Sequence, residues 1–232
     1  MSSFILVVIA CITLFIGHIP FAIPDLSIAH GMACIGKLAF PIFAFLVANN
    51  YLSNKSNFSK CLTRLIVFAL MAQIFSTLLF FGKIKVLYFN IFFTLALGLL
   101  ALRFIDKLQN RFIAFLIVGI ISILAEVLNF DYGAVGILLI VSFSLSNIKP
   151  TFRTLLQIAL FVALYLEKLY RYIPTLDNIR YLLFQMMFSI IGLLFPVLYR
   201  SDKDKKNKYT KLIFYCFYPL HFILLCAVKL IA

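Results

Sequence analysis

The stretch FILVVIACITLFIGHIPFAI, residues 4–23, decides the fold of this chain. Its twenty uncharged residues match the length that an α-helix needs to cross the hydrocarbon core of a bilayer. Hydrophobic residues make up 64% of the 232 residues and charged residues only 12%, too few charges for a soluble domain. Eight further apolar segments follow, at residues 33–52, 62–81, 87–104, 112–129, 133–147, 154–170, 181–199 and 211–230. The sequence therefore predicts an all-α polytopic transmembrane helix bundle with about nine spans, forming one domain over residues 1–232.

The basic residues predict the orientation of these helices. The even-numbered loops and their flanks hold fourteen Lys and Arg residues, and the odd-numbered loops hold six. Because Lys and Arg accumulate in cytoplasmic loops, the N-terminus is predicted to be cytoplasmic and, with nine spans, the C-terminus external. Eight spans are the alternative, because the sixth segment is short and the second contains Pro41. The net charge of +13 is spread between apolar segments, which argues against a nucleic-acid partner.

Several classes of site have no signature in the chain. The five cysteines form neither a CxxC motif nor a Cys/His cluster, so neither a disulfide framework nor a metal site is predicted. The sequence has no P-loop, GxSxG, HExxH or dinucleotide-binding glycine pattern. It also lacks two matching halves interrupted by Gly and Pro, which disfavours a secondary transporter.

Polar side chains within apolar segments are the candidate functional residues, because burying them in lipid is costly. His221 is predicted to lie near the bilayer centre, where the alternative to a functional role is a bond to a neighbouring helix carbonyl. His18 and Lys37 are predicted at the outer ends of their helices. There the alternatives are an interfacial histidine and a lysine that extends to the headgroups. His30 is predicted to be solvated.

Two more polar residues lie at predicted helix starts near the outer face. Asn90 and Asp131 are expected either to cap those helices or to contribute to a site, and Glu126 could face the turn at Asp131. Together with His18 and Lys37 they come from four separate regions of the chain. We therefore predict one polar pocket that opens outward and is closed from below by the last helix.

Five motifs, in order along nearly the whole chain, resemble the TraX family of membrane acetyltransferases associated with conjugative pili. They are GHI at 17–19, IGKLAFPIFAF at 35–45, NIFFTLA at 90–96, DYGAVGI at 131–137 and FYCFYPLH at 214–221. The resemblance implies a bacterial inner-membrane enzyme that moves an acetyl group from cytoplasmic acetyl-CoA to the N-terminal amine of processed pilin.

The resemblance also suggests roles for individual residues. His18 or His221 would take the proton of the amine, since imidazole is largely neutral near pH 7. Lys37 would stabilise the oxyanion, and Asn90 would donate to the same oxygen.

Further contacts are expected from the matching motifs and the basic loops. Tyr132 and Tyr218 are the aromatic candidates for substrate contact. The phosphates of acetyl-CoA are expected to bind the eighth loop, with the candidate residues Lys203, Lys205, Lys206 and Lys208.

The chain departs from the family pattern beside the first histidine and before the Leu-Ala-Phe-Pro stretch. The family usually has Asp before that histidine, where this chain has Gly17, and Arg where this chain has Lys37. Without the acid, Asp131 or Asp25 is the candidate to orient His18.

Other functions remain as alternatives. One is an acyltransferase for a cell-surface glycan or lipid, and another is a pilin-joining or cyclising enzyme. A third is a non-enzymatic pilus assembly factor, and a transporter is the least favoured.

Overall fold

The computed structural model describes residues 1–145, 147–171, 175–200 and 208–231, without the side chains at 208, 209 and 211. Within these ranges the regular elements are α-helices and one 3-10 turn at Lys55–Asn57, and no strand is present. The helices are α1 (Ser3–Ala22), α2 (Ala29–Gly36), α3 (Ala39–Ser53), α4 (Phe58–Phe81), α5 (Ile91–Lys107), α6 (Arg111–Val127), α7 (Gly133–Ser142), α8 (Pro150–Arg171), α9 (Leu176–Ile191), α10 (Leu194–Val197) and α11 (Lys208–Ile231).

Each of the nine predicted segments coincides with helical structure, which confirms the all-α prediction. Helical stretches long and apolar enough to cross a membrane are found at Ser3–Ala22, Ala29–Ser53, Lys55–Phe81, Leu176–Val197 and Leu212–Ile231. The helices α5 and α6 have 17 residues each and α7 has ten. The count of nine spans and the cytoplasmic N-terminus stay predictions.

The second segment is divided into α2 and α3 at Lys37 and Leu38. There the backbone N–H groups of both residues bond to carbonyls three residues back, as in a 3-10 turn. The break lies four residues before Pro41, whose ring clashes with the carbonyl of the fourth residue back in a continuous α-helix. Because Pro41 falls in the first turn of α3, its missing N–H costs no helical hydrogen bond.

Close packing of two glycines brings α1 against α2. A Cβ atom on Gly17 would lie 2.4 Å from the Cα atom of Gly36, so only glycine fits on either side. Small residues let membrane helices approach at backbone distance. The crossing places His18 beside Lys37, since each directly follows one of the two glycines.

Polar contacts mark the two ends of the bundle. At one end of the bundle, where α1 begins, the amine of Met1 donates to the carbonyl of Leu198 at 2.5 Å. At the opposite end, Phe89 and Phe130 form a backbone bridge and Lys229 donates to the Leu79 carbonyl at 2.7 Å. The candidate site lies toward this second end, which the loop charges predict to be external.

Aromatic side chains fill the interior next to the site. Phe92 stacks on Phe214 and Tyr218, with ring centroids 5.6 and 4.1 Å apart. Outward faces are also apolar, and on α6 they include Phe112 at 76% exposure and Ile123 at 64%. A bundle that is apolar both inside and outside suits a lipid environment, and it makes the few polar interior groups stand out.

Candidate active site

The imidazoles of the first and last helices are in direct contact. His18 Nδ1 lies 2.9 Å from His221 Nε2, and the two rings stack with centroids 5.2 Å apart. His221 is 2% exposed, whereas His18 is half-buried. These two residues are 203 positions apart in the chain, so the fold itself brings them together.

The hydrogen bonds around this pair fix which ring nitrogens carry protons. His221 Nδ1 lies 3.2 Å from the carbonyl oxygen of Phe217, which only accepts, so Nδ1 carries the hydrogen. In the neutral ring Nε2 of His221 is then the acceptor, and His18 Nδ1 must donate to it. His18 Nε2 therefore keeps an unshared electron pair, and no described group hydrogen-bonds to it.

Phenylalanine rings enclose His18. The ring centroids of Phe80 and Phe222 lie 5.2 and 5.1 Å from that of His18, and Phe21 lies at 6.2 Å. Apolar walls disfavour a charged imidazole, since they offer no dipoles to replace the water lost on burial. The pair is therefore held as neutral imidazoles with a directed lone pair.

A second group forms around the ring of Tyr132. Its centroid lies 5.9 Å from Lys37 Nζ and 6.0 Å from Lys168 Nζ, so a lysine from the turn between α2 and α3 and a lysine from α8 meet at one aromatic ring. The ring itself is held by stacking on Phe40 at 3.8 Å, and Lys168 Nζ also lies 5.2 Å from the ring of Tyr165. Both lysines are half-buried.

Asp131 is the acid of this group. The charges of Lys37 and Lys168 both act on its carboxylate. Burial raises the pKa of Asp131, and the two lysines oppose that rise. Its backbone is fixed, because its N–H donates to Phe89 O at 2.8 Å and its carbonyl accepts from the Thr94 hydroxyl at 2.5 Å.

The prediction that Asp131 could cap the next helix is wrong. The N-cap residue of α7 is Tyr132, in the left-handed region at φ 62°, and its side chain makes no cap bond. Instead the Glu126 carboxylate accepts from the N–H of Ala134 at 3.0 Å. The Asp131 carboxylate is therefore not used to cap α7, and it is available to interact with Lys37 and Lys168. Glu126 faces the turn as expected.

The histidine pair and the lysine group belong to one site. The backbones of Gly17 and Gly36 touch where α1 crosses α2, and each glycine is followed directly by one of the site residues, His18 or Lys37. The residue that orients His18 is His221, so neither Asp131 nor Asp25 takes that part. An acid at position 17 would collide with the backbone of Gly36, which explains why this chain has glycine there.

Asn90 and Tyr218 form the wall nearest the start of α5. Asn90 is fully buried and caps α5, accepting from Phe92 N at 3.1 Å, which confirms the capping alternative. Its amide nitrogen donates at 2.8 Å to both the Ala69 carbonyl and the Gln73 side chain. The ring of Tyr218 stacks on the ring of Phe92, in the first turn of α5, with centroids 4.1 Å apart. Both residues thus hold the start of α5 against the site.

Sequence reasoning missed one residue of this group, Lys168, and some of the residues it predicted lie outside the part of the chain that the structure describes. Lys168 was counted only as a loop-flanking charge. Its signal was the same as that of Lys37, a lysine at a predicted outer helix end, against the charge rule. The predicted phosphate contacts at Lys203, Lys205 and Lys206 lie outside the described residues, as does the side chain of Lys208.

Comparison with known proteins identifies the family. The family model described as TraX protein matches residues 2–229, nearly the whole chain. No curated protein and no solved structure matches the chain. The family match spans every helix that contributes to the site, from His18 to His221. The chain belongs to the TraX family.

Proposed function

We propose that this protein is a membrane-embedded N-acetyltransferase that moves an acetyl group from acetyl-CoA to the N-terminal amine of processed conjugative pilin. The observation that carries the proposal is the hydrogen-bonded His18–His221 pair, which leaves an unshared base beside Lys37. Family membership supports the choice of substrate, since TraX proteins are associated with pilin processing.

His18 is the general base in this proposal. A protonated amine is not a nucleophile, so it gives one proton to water before it attacks the thioester, and its nitrogen has to lose a second proton as the carbon–nitrogen bond forms. His18 Nε2 takes that proton, and the positive charge that forms is shared through Nδ1–H with His221 Nε2. His221 is a positioning residue, because its bond to the Phe217 carbonyl holds the ring that orients His18.

Lys37 stabilises the charge that develops on the acyl oxygen. When the amine nitrogen bonds to the carbonyl carbon, the carbonyl electrons move to oxygen, and a nearby ammonium lowers the energy of that anion. Lys37 is adjacent to the base and makes no ion pair within 4 Å with a described acid. Asp131, beside the two lysines, offsets part of their charge before substrate arrives.

Collapse of the tetrahedral intermediate completes the transfer. The electrons on oxygen re-form the carbonyl, the carbon–sulfur bond breaks, and the departing thiolate of CoA takes the proton held by His18. The products are an acetylated amine and free CoA, and His18 returns to its neutral state. In this proposal Tyr132, whose ring lies near both lysines, and Tyr218 contact the substrate.

Donor and acceptor approach from opposite sides of the inner membrane in this proposal. His221 lies 13 residues after the first residue of α11, about 20 Å from the predicted cytoplasmic end. The acetylated arm of CoA therefore has to enter the bundle deeply. Its phosphates remain near the basic loop that contains Lys203, Lys205, Lys206 and Lys208.

Intact-mass analysis of pilin tests the proposal. Pilin from cells with the wild-type protein should carry one acetyl group at its N-terminus, and pilin from cells with His18→Ala should not. Lys85→Ala is a matched control, because Lys85 lies in an exposed loop toward the same end of the bundle. Full acetylation with His18→Ala, at equal protein level, would overturn the mechanism.

A further inference from the structure

A groove separates α2 from α9 toward the end of the bundle that holds the site. Its volume is about 650 Å³, within the range of pockets that hold ligands. One wall comes from α2 and the other from one face of α9. The residues that line it are His30, Gly31, Cys34, Asp177, Asn178, Tyr181, Phe184 and Phe188.

Polarity changes along the α9 wall of this groove. Asp177 and Asn178 lie in the first turn of the helix, and both are exposed. Phe184 and Phe188 lie two to three turns further along, at lipid depth by the predicted topology. The distance from Asp177 to Phe188 along the axis is about 17 Å. A ligand in this groove would therefore have a polar, cationic end and an apolar body.

Cys34 connects the groove to the active site. It is 4% exposed, lines the groove, and lies three residues before Lys37, on the same side of the chain. The backbone N–H of Lys37 donates to the carbonyl of Cys34 at 3.0 Å. Cys34 thus joins the groove wall to the turn that carries Lys37.

We propose that this groove is the acceptor site, which takes the N-terminal turns of an apolar, membrane-anchored helix with a free terminal amine. The inference rests on the proposed function and adds the route by which the acceptor reaches the base. The apolar helix of the acceptor packs on Phe184 and Phe188, and its amine lies at the polar end.

Charge supports this occupant. The Asp177 carboxylate at the mouth attracts an ammonium group. Its ion pair with Arg180 is long, at 3.9 Å, and exposed, so it is weak. Further in, Lys37 and Lys168 repel a cation. The amine therefore passes toward His18 as a neutral group, after one proton has gone to water at the mouth of the groove, and this couples entry to deprotonation.

Gly31 offers a variant that fills the groove with little effect on the fold. A Cβ atom at Gly31 meets no other atom within 4 Å, so Gly31→Ala fits and Gly31→Phe projects a ring into the groove. Gly119→Phe is the matched control, because Gly119 lies on α6 and a Cβ there also meets nothing within 4 Å.

The first experiment measures initial rates with purified protein in proteoliposomes. The acceptor is a peptide with a free N-terminal amine followed by an apolar transmembrane segment. Gly31→Phe should raise the KM for this peptide at least tenfold and change the KM for acetyl-CoA less than twofold. Gly31→Ala and Gly119→Phe should match the wild type. An unchanged peptide KM, or a loss that affects both substrates equally, would overturn the groove as the acceptor site.

Photo-crosslinking to the wild-type chain gives a second, independent answer. The same peptide, with a diazirine in its second turn and no acetyl-CoA present, should label Tyr181 or Phe184. Labelling elsewhere would contradict the proposal and would leave lipid as the occupant of the groove. Labelling in the groove without any acetylation by the wild-type protein would instead overturn the proposed activity, so the two failures are distinguishable.

Discussion

The two ends of the helix bundle both contain charged side chains, but in opposite arrangements. At the end where α1 begins, Lys55 forms an ion pair with Asp106, and the Tyr51 hydroxyl donates to the same carboxylate at 3.1 Å. At the other end, no described acid lies within 4 Å of Lys37 or Lys168. The first arrangement satisfies its charges internally. The second leaves two ammonium groups without such a partner, and this is the arrangement that the proposed catalysis uses.

The largest effect in this comparison is expected from His18→Ala. Removing a general base lowers a rate by about 10² to 10⁴-fold. We expect kcat/KM for acetylation of the amine to fall by that factor in proteoliposomes, with the protein still folded by circular dichroism. A rate within threefold of the wild type would remove His18 from the mechanism.

Lys37→Met should lower kcat by about 10²-fold, because one donor to the developing oxyanion is lost. The KM for acetyl-CoA should change little, since the charge appears only in the transition state. Lys85→Met, in the exposed loop toward the same end, should show wild-type kinetics. A rise in KM at constant kcat would assign Lys37 to ground-state binding instead.

Lys168→Met should have a smaller effect, about tenfold in kcat/KM, equivalent to about 1.4 kcal/mol. Lys168 and Lys37 lie at nearly equal distances from the Tyr132 ring, so their effects should be coupled. The double variant should then lose less than the product of the two single losses. Strictly multiplicative losses would show that the two lysines act on separate groups.

The smallest effect is expected at the opposite end, from Lys55→Met or Asp106→Asn. The side chains of this ion pair are 50% and 27% exposed, so its loss should change the free energy of unfolding by only about 0–1 kcal/mol. Acetylation should stay at the wild-type level. A loss of activity as large as that of Lys37→Met would end the distinction between the two ends.

The helices were largely predictable because lipid selects long apolar runs. The segment predicted at residues 4–23 is helix Ser3–Ala22, and the one at 112–129 is Arg111–Val127. The division of the second segment was not predicted, because Pro41 acts on the carbonyl four residues earlier and not at its own position. Hydropathy shows where a helix lies, but not where its backbone bends.

From the sequence, the site was predictable only as a set of polar side chains whose burial in lipid costs free energy. The free-energy cost of burying polar groups in lipid identified His18, Lys37 and His221 as candidates, but it carries no information about which helices are neighbours. The direct imidazole contact, the part played by Lys168 and the exchange of roles between Asp131 and Glu126 all depend on helix rotation and packing. The two-glycine crossing at Gly17 and Gly36 has no hydropathy signal at all.

Nitrogen-15 NMR of histidine-labelled protein in bilayers reports where the protons of the His18–His221 pair lie, and the chain has only three histidines. We expect both His18 and His221 to be neutral, with the proton on Nδ1. We also expect a coupling across the hydrogen bond between His18 Nδ1 and His221 Nε2, which His18→Ala removes. A proton on His18 Nε2, or no coupling between the two rings, would show that His18 is not the base described above.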